Sequence, residues 1–187
     1  MHETRLAGIL YGEGEGPRMD DMLVEVVTRL RSSAKRLAGA IQHNTDGGDR
    51  CRCDMTLEDL ASGRLIDISE KRGPQSSGCR LDSFALEESV GVVVESLNSQ
   101  PDLLIINRFG KREGEGHGFR QAIERALELN IPVLAAVGAG QKEAWQNFTG
   151  SFADQLPVDA DAIMAWCTGA VDENAGANTT QKVSSEA

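Results

Sequence analysis

Apolar positions along the chain alternate between short continuous runs and stripes with helical spacing, separated by glycine-rich or charged stretches. Leu6-Ala7-Gly8-Ile9-Leu10-Tyr11 reads as a buried strand, and Gly12-Glu13-Gly14-Glu15-Gly16-Pro17-Arg18 follows it as a loop. Met22, Leu23, Val26, Val27 and Leu30 then recur at three- and four-residue steps, which predicts a helix. Asp20 and Asp21 suit its N-terminal dipole, and Arg29, Arg31 and Lys35 mark its exposed side. Residues 36–42 form a second apolar strand and 43–50 a loop.

Residues 51–60 and 64–69 predict a hairpin turning at Ala61-Ser62-Gly63, although Leu57-Glu58-Asp59-Leu60 fits one helical turn equally well. Residues 71–78 are polar and glycine-rich, the composition of a mobile loop. Asp82 can cap a helix over 83–97 with Phe84, Leu86, Val90, Val93, Val94 and Leu97 on its apolar face. Residues 101–107 read as a central parallel strand, 108–118 as a charged loop, 119–129 as a helix and 131–137 as another buried strand. Trp145 and Phe148 share a short helix, and 162–167 form another. Residues 169–187 have few apolar anchors and are expected to be disordered, leaving 1–168 as a single domain. Strands alternating with helices predict an α/β fold, a mostly parallel sheet with helices on both faces and an inserted β-hairpin.

Charge narrows the partners. The 187 residues carry a net charge of -10, which argues against nucleic-acid binding because that needs a basic face. No apolar stretch approaches the ~20 residues of a membrane span, so no membrane insertion is expected. The N-terminus runs directly into the first strand, so no secretory leader is expected, and the four cysteines lack the layout of a disulfide framework. These features predict a cytoplasmic protein and leave a homo-oligomer open.

Chemistry enters at the strand ends. Strand, glycine loop and helix form the frame in which backbone N–H groups cradle an anion. A hydrolysing loop of this kind ends in Gly-Lys followed by Ser or Thr, whereas Gly16 is followed by Pro17 and Arg18. Gly12, Gly14, Gly16 and Arg18 are therefore candidates for anion binding without ordinary hydrolysis; the plainer alternative is a tight strand-to-helix turn. Farther along, Asn107 and Arg108 end an apolar strand where a magnesium-handling nucleotidase carries acids. Arg108 and Lys111 form a cationic rim suited to an oxyanion, with Arg80 as a further candidate, or else a solvated loop. Cys53, Asp54 and Cys79 give a weak metal signal, since their spacing is not that of a zinc site.

These residues resemble the small bacterial and archaeal nucleoside-triphosphatases first described from thermophiles, which have a P-loop fold. Their second motif reads Asp-Glu-Ile-Gly-Lys-Met-Glu, and Asn107-Arg108-Phe109-Gly110-Lys111-Arg112-Glu113 is similar to it with both acids replaced. The resemblance is closer to an uncharacterised bacterial branch of that group, a domain of unknown function. It is carried by Arg52-Cys53-Asp54-Met55, Gly78-Cys79-Arg80-Leu81-Asp82, Asn107 to Lys111, and Ala144-Trp145-Gln146-Asn147-Phe148, and it covers about residues 5–167. Members are often encoded near molybdate-transport genes, so the resemblance implies molybdate or tungstate as ligand. A nucleotide with magnesium is the other ligand it implies.

Overall fold

The computed structural model describes residues 5–47, 52–70 and 81–184, with the backbone alone at 44–47, 52–54 and 177–184. In chain order the strands are β1 (Leu6–Tyr11), β2 (Leu37–Gly47), β3 (Arg52–Asp59), β4 (Leu65–Asp67), β5 (Leu103–Phe109), β6 (Val133–Gly138) and β7 (Ala153–Leu156). The helices are α1 (Gly16–Ser32), α2 (Ser83–Ser96), α3 (Lys111–Gly114), α4 (Arg120–Glu128), α5 (Lys142–Thr149) and α6 (Ala160–Ser184). Among the described residues the strands make one seven-stranded sheet of order β4-β3-β2-β5-β6-β1-β7. From β2 to β7 every pairing is parallel, and β3 and β4 extend the sheet as an antiparallel hairpin.

Both faces are covered, as a parallel sheet requires. Successive side chains of a strand point to opposite faces, so each apolar run feeds two cores. Ala7, Ile9, Leu103, Ile105, Leu134 and Ala136 pack under α1 and α6. Leu6, Leu104, Ile106, Val133, Ala135 and Val137 pack under α2, α4 and Trp145 of α5. Close approach fixes Gly39: its φ is 112°, and a Cβ there would lie 1.9 Å from the Ile105 carbonyl oxygen.

Several elements differ from the expectations. Strand β2 continues through residues expected to be a loop, because 40–47 pair antiparallel with β3. Phe84 is 80% exposed rather than on the inner face of α2. Leu86, Val90, Val93 and Leu97 already complete a stripe at four- and three-residue steps, and residue 84 lies across the helix from it. Strand β7 was hidden by polar edge residues such as Asp154 and Gln155. The charged loop expected from 108 begins later, since β5 runs to Phe109 and Lys111–Gly114 is helical.

The largest correction concerns residues 169–184, which belong to α6 and not to a disordered tail. Ile163, Trp166, Cys167, Ala170 and Val171 follow an unbroken three- and four-residue spacing and are all buried. Beyond them Lys35 pairs with Asp172 at 3.5 Å and Arg5 with Glu173 at 3.4 Å. Asp82 does cap α2, accepting from the Phe84 and Ala85 N–H groups.

Candidate functional site

Strands β1, β5 and β6 end side by side, and the segments leaving them form the carboxyl edge of the sheet, where open α/β sheets bind ligands. The glycine loop leaves β1 here. Gly14 has φ 79°, which suits the glycine it carries, and α1 starts at Gly16 with Pro17 in its first turn. Glu15 folds back on this loop: its Oε2 accepts from the Gly12 N–H at 2.7 Å, and Oε1 accepts from Arg18 Nη1 at 3.3 Å. A carboxylate thus already occupies one of the loop's backbone donors, and it answers the cation that Arg18 places at the positive end of the helix.

Below the loop lies a buried interlock. Asn107 Nδ2 donates to Asp20 Oδ1 at 2.8 Å, and Arg108 Nη2 donates to Asp20 Oδ2 at 2.8 Å. Adjacent residues of a regular strand point to opposite faces, so both could not reach one carboxylate. The register of β5 against β6 shifts between Asn107 and Phe109, and this bulge turns Asn107 and Arg108 both toward α1. Phe109 then returns to the other core, beside Trp145 and Phe148. The Asp20 side chain is 2% exposed and that of Arg108 34%. Arg108 lies against the loop, and a Cβ on Gly16 would meet its Nη2 at 3.2 Å. Asn107 Oδ1 and Arg108 Nε are buried without a hydrogen-bond partner among the described residues, as buried polar atoms rarely are.

A third carboxylate organises the next segment. Glu113 is buried and accepts from the Gly110 N–H and the Phe119 N–H, both at 2.9 Å. Burial pushes its carboxyl above the usual range, opposed by those two donors. Both its oxygens serve the backbone, so it shapes the 110–119 turn.

Of the sequence-derived candidates, the structure brings together Gly12, Gly16, Asn107 and Arg108, with Arg18 joined through Glu15 and Gly14 at the loop's crest. Lys111 stands apart: it is 83% exposed and faces Glu115 at 3.8 Å. Arg80 and Cys79 lie outside the described residues. Cys53 and Asp54 belong to β3, paired with Asp46 and Thr45. Among the described residues no three His, Cys, Asp or Glu side chains gather as a metal site. The donor set also does not fit a magnesium ion held as in a hydrolysing P-loop: the buried acid at the edge, Asp20, has both oxygens bonded to Asn107 and Arg108, and these offer no anionic ligand.

Sequence reasoning missed Asp20 and Tyr11. Asp20 passed for a dipole residue, although it precedes Leu23 and Val27 by three and seven positions and so falls on the buried stripe of α1. Tyr11 ends β1, half-buried, with its hydroxyl beside Gly138 at the end of β6. Burial raises its phenol pKa, the Arg108 charge lowers it, and Asp20 raises it.

A family model described as "Protein of unknown function (DUF2478)" matches residues 6–166. The chain belongs to this family. Among curated proteins, it is 33% identical over 163 residues to "Molybdenum import ATP-binding protein ModC 2" of Bradyrhizobium diazoefficiens. That match takes in 87% of the chain but 18% of the relative's length. Among solved structures, THEP1 from the hyperthermophile Aquifex aeolicus superposes with a TM-score of 0.55 at 17% identity, over 83% of this chain and 90% of that one. The DUF2478 chain therefore has a THEP1-like fold, a mostly parallel seven-stranded sheet with an antiparallel hairpin. None of its described helices is long and apolar enough to cross a membrane.

Proposed function

We propose that this DUF2478 protein captures an oxyanion, or the phosphate of a nucleotide, at the carboxyl edge of its sheet without efficient hydrolysis. The observation that carries this reading is the Asn107–Asp20–Arg108 interlock beneath a glycine loop. The frame for holding an anion is retained, while the edge acid that would serve a metal is consumed by two donors of its own chain. The cradle is the backbone of residues 12–17 with Arg18, Asn107 and Arg108. Glu15 moves aside when the ligand takes the Gly12 N–H.

Molybdate or tungstate is the preferred oxyanion. The support is the name of the 33% identical relative, a molybdenum import ATP-binding protein, of which this chain spans 18%. The setting is cytoplasmic. The fold supports a second reading, a slow nucleoside-triphosphatase in which Glu13 or Glu15 replaces the missing acids. A calorimetric screen of molybdate, tungstate, sulfate, phosphate, ATP and GTP, each with and without magnesium, tests the proposal. Saturable binding that does not need magnesium is the expected outcome. Silence toward every anion would leave the glycine loop as plain architecture.

A further inference from the structure

Tyr11 is the chain's single tyrosine. It ends β1 directly before the glycine loop and points to the α1 face, where its ring packs against the apolar core under that helix. Its hydroxyl reaches across to the end of β6. Residue 138 makes the space: a Cβ there would lie 3.2 Å from the phenol oxygen. Gly138 has φ -69°, which any residue adopts, so backbone conformation does not demand glycine there. The demand comes from the phenol. Tyr11 is half-buried and its hydroxyl makes no hydrogen bond to the described residues, and the Arg108 guanidinium is near enough for its charge to act on the phenol. Arg108 in turn has Nη2 on Asp20 and lies along Gly16 of the loop. A donor hydroxyl that no described residue engages and a cation thus flank the same mouth between the ends of β1, β5 and β6.

We infer that the Tyr11 hydroxyl is a positioning and selectivity group of the anion site, donating to an outer oxygen of a tetrahedral oxyanion or phosphate held between it and Arg108. The inference rests on the anion-binding reading above and adds a side-chain donor to it. It also gives a reason for glycine at 138, which keeps the hydroxyl at the mouth. A neutral phenol donates one proton and accepts none from a fully deprotonated oxyanion, so the contact favours ligands that present a bare oxygen there.

The test uses the full chain with sodium molybdate, sodium tungstate and ATP as probes. Binding is measured by calorimetry for the wild type, Tyr11→Phe and Gly138→Ala, and the tyrosinate absorbance of the wild type is titrated with and without saturating probe. Tyr11→Phe removes one hydrogen bond to a charged group, so a loss of about tenfold in affinity is expected at unchanged thermal stability. Gly138→Ala keeps the phenol but crowds it, and a several-fold loss is expected. A bound anion beside the phenol disfavours the phenolate, so the titration should move to higher pH when probe is present. Binding to the wild type that is equally tight in both variants, with an unmoved titration, would overturn the role of Tyr11 and leave the anion site standing. Absence of binding to the wild type by any probe would overturn the anion site, and this inference with it.

Discussion

The carboxyl edge carries two carboxylate–guanidinium pairs built from the same chemistry and made to behave differently by burial. Glu15 and Arg18 have side chains 39% and 63% exposed and meet at 3.3 Å on the rim of the glycine loop. Asp20 and Arg108 meet at 2.8 Å with the carboxylate 2% exposed, and Asn107 completes the set. An exposed pair is screened and contributes little, so Glu15 can leave the Gly12 N–H at small cost when another anion arrives. A buried pair cannot be opened one partner at a time without stranding a charge. On the proposed reading the rim gives way to a ligand while the interlock holds the frame.

That contrast is broken most directly at Asp20. Asp20→Ala should destabilise the protein by about 3 kcal/mol, because Arg108 and Asn107 lose the acceptor they share. Denaturant unfolding measures this. Pairing it with Arg108→Ala should recover part of the loss, and strictly additive effects would argue against the interlock as one unit. Next in size is truncation after Thr168. It removes buried Ala170 and Val171 and the Glu173 and Asp172 ion pairs, and about 2 kcal/mol should be lost, seen as a lower melting temperature. An unchanged melting temperature would mean that α6 ends its structural work at Cys167.

Glu113 is a smaller, pH-dependent probe of the same principle. Its carboxyl pKa is raised by burial, so the neutral form is the one the fold prefers. Its contribution is therefore fully present below the ordinary glutamate range and declines as pH rises through the raised value. Stability of the wild type relative to Glu113→Gln should fall across that window, and unfolding curves at several pH values check the sign. The smallest effect belongs to the rim: Glu15→Ala should change stability by less than about 1 kcal/mol. Calorimetry should find its oxyanion affinity equal to the wild type's or greater, since a competing carboxylate is gone. A loss of affinity would make Glu15 part of the cradle instead.

The sequence made the parallel half of the sheet legible because β1, β5 and β6 are continuous apolar runs that fill both cores. It made α1 and the capped start of α2 legible for the same local reasons. Strand β7 escaped notice because an edge strand carries polar residues on an open side. The far part of α6 was read as tail because small residues such as Ala170 bury little area each, although their spacing continues that of Ile163, Trp166 and Cys167. In the candidate site, the glycine loop and the loss of the acids at 107 and 108 could be read from residue types. The interlock could not: it depends on a bulge in β5 that turns two neighbouring side chains the same way. Arg108 therefore looked like a free cation of the rim, when it is half of a buried pair. Tyr11 looked like the last apolar residue of its strand, because nothing local reveals Gly138 opposite its hydroxyl.

On the proposed reading, the glycine-loop frame holds anions without turning them over. Phosphate release from ATP and GTP with saturating magnesium, followed over hours with the purified 187-residue chain, is the decisive assay. Positioned metal and charge supply several kcal/mol of transition-state stabilisation in hydrolysing relatives of the fold, and Asp20, Asn107 and Arg108 have no such ligand to give. Release at the rate of the protein-free control is the predicted result. Robust magnesium-dependent turnover that disappears in Asp20→Asn or Arg18→Ala would contradict it.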